Sequence, residues 1–117
     1  MNTRAKILDA NAARAALARQ THRPALAIGV FDPLLGAHAE MLAPLHRPLW
    51  VAVADARDPL YPTQARLELV AALRVVDRVV EHVPGIEDWG FAEVHNLVAA
   101  DLALRENFLR HVRERHR

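Results

Sequence analysis

Two stretches, "ALAIGV" from Ala25 to Val30 and "PLWVAVAD" from Pro48 to Asp55, carry apolar residues at successive positions instead of alternate ones. A strand with one face in water alternates. A strand covered on both faces reads as an unbroken apolar run, which is the pattern of a parallel sheet. Each run is followed by a segment with helical spacing, from about Gly36 to Leu45 and from Pro62-Thr63 to about Val76. Proline suits the first turn of the second helix, where its missing N–H would have no partner anyway. A third strand is expected at "RVVEHV" directly after Asp77, then a short segment from Ile86 to Phe91, then a fourth short strand at "AEVHNL". Strands and helices in alternation imply right-handed crossovers. The expected fold class is therefore α/β and Rossmann-like, a small parallel sheet with helices on both faces. An Ala-rich leading helix from about Thr3 to Gln20, stopped by "THRP", and a charged closing helix from about Ala99 to His116 complete the chain.

Composition removes whole classes of function. The chain has 117 residues, 52% of them hydrophobic, which suits one domain with a core that needs no staple. It has no cysteine, so a disulfide framework, a thiolate metal site and a Cys nucleophile are excluded together. It also has no serine, which excludes a serine hydrolase, and no Gly-x₄-Gly-Lys P-loop. Net charge is +1 and the arginines are scattered as far as the terminal "RHVRERHR", so no nucleic-acid face is expected. No apolar run approaches the roughly 18–20 residues of a spanning helix. The amphipathic N-terminus is no secretory signal, and a cytoplasmic protein without a membrane partner is expected.

In parallel sheets of this kind ligands bind beyond the carboxyl ends of the strands, near the point where strand order reverses. That puts the loop Phe31–His38 at the expected site, with the loop after Val53 beside it. Arg66 stands at the start of an apolar stripe, Leu69, Val70 and Leu73, which sets a guanidinium at the sheet's rim. A site-edge role and a structural ion pair both fit it. Asp32 either positions a ligand or caps its own loop before Pro33. His82, His95 and His111 are too far apart for a metal motif, so no dedicated metal site is expected. Trp50 and Trp89 read as core or interface anchors. In the closing helix, Leu102, Leu104, Phe108, Leu109 and Val112 share a sector opposite Glu106, Arg110, Arg113, Glu114 and Arg117, as in a helix packed on one side.

"GVFDPLLGAHAEML", Gly29 to Leu42, resembles the signature of the cytidylyltransferase-like nucleotidyltransferases, in which a strand ending Gly-x-Phe-Asp leads to a His-x-Gly-His loop and a helix. "ARLELVAALRVVDRVV", Ala65 to Val80, is similar to that family's Arg-bearing helix ending "AL-x-x-VD-x-V". The acid-ended strand "VAVAD" lies between the two, in the family's order. The resemblance covers about residues 25–83 and is closest to the glycerol-phosphate cytidylyltransferase and ADP-heptose-synthase type. Residues 1–22 form the leading helix and 84–117 diverge. The resemblance implies a fold of nucleotidyltransferase type with His38 as the catalytic residue. It implies a nucleotide site drawn from Gly29, Val30, Phe31, Asp32, Leu35, Gly36, Ala37, Asp55, Arg57 and Arg66. CTP or ATP would be the nucleotide, with Mg²⁺ as its companion if the site is active.

Against the family's pattern, Leu35 stands at the first histidine and Ala37 at the glycine. The loop "ADARDPLYPTQAR" is short and has no lysine, Arg57 being the nearest substitute. Nothing after Gly85 matches the family's Ser/Thr-rich closing segment and its arginine. Nucleotidyl transfer needs fixed donors at the α-phosphate and the leaving pyrophosphate, and losing one typically costs about 10²–10³ in rate. The expectation is a nucleotidyltransferase-like domain with a nucleotide-type pocket, weakly active or inactive. The alternatives are an active enzyme moving CMP or AMP onto a phosphorylated small alcohol or sugar, and a non-catalytic interaction or assembly module. A homodimer suits the resemblance, since domains of this family often pair.

Overall fold

A computed structural model describes residues 3–115. The elements run β1 (Ile7–Leu8), α1 (Ala10–Ala18), β2 (Ala25–Gly29), α2 (Gly36–Leu42), β3 (Leu49–Val53), α3 (Thr63–Ala71), β4 (Arg78–Glu81), β5 (Glu93–Asn96) and α4 (Val98–Arg115). All strands are parallel, in the order β1-β4-β3-β2-β5. The chain is thus an α/β, Rossmann-like fold with helices on both faces of its sheet.

The unbroken apolar runs become the two innermost strands, and every residue of β2 and β3 is buried. Ala25, Ala27, Leu49, Val51 and Val53 pack with Leu42 of α2 and with Leu67, Val70 and Ala71 of α3. The intervening residues Leu26, Ile28, Trp50 and Ala52 pack on the opposite face with Ala13 and Leu17 of α1. A strand with a helix on each side has no wet face, which is why its sequence does not alternate. Trp50 is a buried anchor of that second face; Trp89 is half-buried, with the Arg14 guanidinium 5.3 Å above its ring.

The expected elements differ in three respects. The leading helix does not run from Thr3. Residues Thr3–Lys6 form a 3₁₀ turn, and Ile7-Leu8 pair with Val79-Val80 as an extra edge strand. The helix starts only after Asp9, whose carboxylate accepts the Ala12 N–H at 2.7 Å. An N-cap fixes a start more firmly than apolar spacing does. The helices α2 and α3 stop at Leu42 and Ala71, short of Leu45 and Val76, and Val76 reaches the core from the following turn. The third correction is the closing helix, which is not packed along one side. Of α4 only Asp101 is buried, while Leu102 is 46% exposed and Phe108 and Val112 are 37% exposed. Its early residues reach the strand ends, Asp101 at Val30–Phe31 and Arg105 at Asp58, so its later turns have no sheet beneath them. His116 and Arg117 lie outside the described residues.

The connections from β2 to β3 and on to β4 step in one direction, and the connection after β4 returns past β2 to β5. The reversal therefore falls at β2 and β5, and the carboxyl ends there are where a ligand crevice belongs.

Candidate functional site

Beyond Gly29 the chain leaves the sheet through Val30, Phe31 and Asp32. Phe31 has φ 53°, in the left-handed region that bulky residues rarely occupy. The successive N–H groups of Val30 and Phe31 both donate to one oxygen, Oδ2 of Asp101, the Phe31 bond being 2.8 Å. Two consecutive backbone N–H groups converging in this way make an anion-binding nest. The second carboxylate oxygen, Oδ1, lies 2.7 Å from Nε2 of His38.

His38 occupies the third position of α2, and its Nδ1 accepts the Leu35 N–H at 2.8 Å. A ring nitrogen that accepts carries no proton, so the proton sits on Nε2 and is donated to Asp101. Both ring nitrogens are thereby used inside the protein, with His38 1% and Asp101 2% exposed. Burial pushes the Asp101 carboxyl up. The donors from His38, Phe31 and Val30 outweigh it and hold the group below the usual Asp value.

Gly29 makes room for this arrangement. A Cβ there would lie 2.7 and 2.8 Å from the Phe31 ring and 2.9 Å from Asp101 Oδ2. The ring is buried and cannot swing clear. Gly29→Ala should therefore cost about 1–3 kcal/mol, measured as a drop in the urea midpoint with an unchanged slope. An unaltered midpoint would mean the carboxylate and ring have slack that the distances deny.

Asp32, also buried, accepts the N–H groups of Leu60 and Tyr61, both at 2.8 Å, and so pins the loop after β3. It caps that neighbouring loop across the sheet's end. Arg66 is 1% exposed and donates to Val30 O at 3.0 Å, Ala54 O at 2.8 Å, Tyr61 O at 3.2 Å and Thr63 Oγ1 at 3.2 Å. Its guanidinium sits at the rim of β2 and β3, as the helical spacing suggests, but its partners are carbonyls and a hydroxyl. Leu69 of the same stripe is exposed.

Above these residues lies an open cleft of about 480 Å³, lined by Val30, Asp55, Arg57, Val98, Leu102, Arg105 and neighbours. That volume is within the range of small-molecule sites. Arg105 crosses it from α4, donating to Asp58 O at 2.8 Å and standing 3.7 Å from Asp32. Its buried Nε has no hydrogen-bond partner among the described residues. Of the residues expected from sequence, Val30, Asp55 and Arg57 line the cleft. Gly29, Phe31, Asp32, His38 and Arg66 form the buried layer at the strand ends. Leu35, which caps α2, and Gly36 and Ala37, its first two residues, are not among the cleft-lining residues, and Gly36 has open space around it.

Asp101 and Arg105 escaped the sequence reading. A signal was there: Asp101 stands three residues before Leu104 and seven before Phe108, and Arg105 stands seven before Val112. Both charges therefore fall in the helix's apolar sector, where a charge needs a partner. Among the described residues no cluster of three or more His, Asp or Glu is placed to hold a metal ion, and no helix is long and apolar enough to cross a membrane. The chain matches no known family model and no curated protein.

Proposed function

We propose that this chain is a cytidylyltransferase-like nucleotidyltransferase domain that keeps a nucleotide-sized cleft and turns nucleotide over weakly or not at all. The observation that carries the reading is the engagement of both His38 nitrogens by Leu35 and Asp101. A histidine acting on the α-phosphate has to offer an N–H to the cleft, and this one offers it to a carboxylate. With Leu35 and Ala37 at the other two motif positions, the loop supplies no replacement donor.

Binding chemistry persists. Arg57 and Arg105 put guanidinium groups on the cleft, suited to phosphate oxygens, and Val98 and Leu102 give apolar surface for a base. Mg²⁺ takes oxygen ligands, commonly one or two carboxylates together with the nucleotide's phosphates. Asp55 on the lip fits that demand, and the metal would supply charge neutralisation there.

Calorimetric titration with CTP and with ATP, each with Mg²⁺, tests the reading. Micromolar binding of one nucleotide is expected. Arg57→Ala should weaken it about 10- to 100-fold, the worth of one charged hydrogen bond. Little or no pyrophosphate should be released with phosphorylated alcohols or sugars as acceptors. Turnover that His38→Ala abolishes would instead make the chain an active transferase. The uncovered apolar sector of α4 favours a second reading, an assembly module. The absence of heat from folded protein would leave that one standing.

A further inference from the structure

We propose that the nest formed by Val30, Phe31 and His38 is an oxyanion site which the chain's own Asp101 fills, and that a phosphoryl group taking Asp101's place releases α4. The inference rests on the reading above for the ligand class alone: because α4 walls the cleft with Val98, Leu102 and Arg105, an anion in the nest and a nucleotide held in the cleft exclude each other.

The three groups that meet Asp101 are all donors: two backbone N–H groups and the Nε2–H of a neutral imidazole. Such a set discriminates by charge sign and by oxygen geometry, and it does not distinguish a carboxylate from a phosphate. The surroundings strengthen its preference for an anion. Arg66 donates to Val30 O at 3.0 Å, and that carbonyl belongs to the same peptide unit as the Phe31 N–H. A cation on one end of a peptide polarises the N–H at the other.

The attachment of α4 fits a displaceable plug. A helix that belongs to a core buries an apolar stripe. This one buries Asp101 alone and leaves Leu102, Phe108 and Val112 exposed. Beyond its first turn, where the Asp101 N–H is bonded to Leu97 O at 2.9 Å, the polar hold that remains is one side chain, Arg105, which donates to Asp58 O at 2.8 Å and pairs with the Asp32 carboxylate at 3.7 Å. Once Asp101 leaves the nest, little apolar contact keeps the helix down. The coupling follows from competition: an anion that binds the nest only when Asp101 is out shifts the population toward the released helix.

The test uses inorganic phosphate on the full chain carrying Asp101→Ala, with chloride at matched ionic strength as control. Phosphate at about a hundred times its Kd should raise the melting temperature of the variant by roughly 5–10 °C. It should also shift the Val30 and Phe31 amide resonances and the His38 ring resonances. Wild type should show no such rise at the same concentration. A folded variant whose nest resonances ignore 100 mM phosphate, or shift equally with chloride, overturns the proposal. If Asp101→Ala does not fold, Asp101→Asn takes its place, with the same resonances read. In the wild type, phosphate should speed amide exchange across residues 98–104, and no change there with phosphate counts equally against release. Silence of the wild type toward CTP and ATP, with phosphate still bound by the Asp101 variant, would remove the nucleotide reading and leave the oxyanion site intact.

Discussion

Arg66→Met is expected to lower folding stability by about 3–5 kcal/mol, read as a large fall in the denaturation midpoint. The methionine is close in length, so little packing volume is lost. What disappears is a buried fork that holds four acceptors from three segments, namely the end of β2, the end of β3, and the turn into α3. Each acceptor left without its partner in a buried place costs about 1–3 kcal/mol. Arg66→Lys should recover little of the loss, because an ammonium is a point donor and cannot span carbonyls on two strands. A loss under about 1 kcal/mol for the methionine variant would show that water takes over these carbonyls, which the burial of the site argues against.

Asp101→Asn is the second large effect, at about 2–4 kcal/mol near neutral pH. The amide has the carboxylate's shape, but one of its ends is now a donor facing donors. The variant should also change the acid limb of stability. Asp101 sits below the ordinary Asp value in the native state, since the His38, Phe31 and Val30 donors outweigh burial. As pH falls the unfolded chain takes up the proton first. Asp101's contribution is therefore complete above the unfolded value of about 3.9 and is lost as pH drops through the lower native value. Urea melts at pH 7 and pH 3 should show a smaller loss for the variant than for wild type. Parallel losses would mean that the native carboxylate is not held ionised by the nest.

The sheet was legible because its central strands are covered on both faces, and that condition writes itself into consecutive residues such as Leu26-Ala27-Ile28 and Trp50-Val51-Ala52. The edge strand at Ile7-Leu8 was not, because two apolar residues satisfy a helical stripe as well as a strand pair. Only the partner at Val79-Val80 decides between them. The site divides in the same way. Val30, Asp55 and Arg57 reach the cleft because strand ends do so in any parallel sheet. The engagement of His38 was out of reach, since its partner lies 63 positions away on a helix whose placement depends on the fold. Arg66 was found at the right rim with the wrong kind of partner in view. Sequence suggests ion pairs from residue types, and three of its four acceptors are backbone oxygens that no residue type announces.

The short β1 has a consequence for how the molecule meets others of its kind. Val79 and Val80 of β4 are the apolar pair that would form the sheet's outer rail on that side, and Ile7 and Leu8 close it. An open rail of this sort is a template on which another chain can add a strand. Ile7 and Leu8 thus act as a guard strip, pinned further by the Lys6 ammonium on Leu73 O at 3.1 Å. What faces a neighbouring molecule on that side is a two-residue segment, too short to seed a stack.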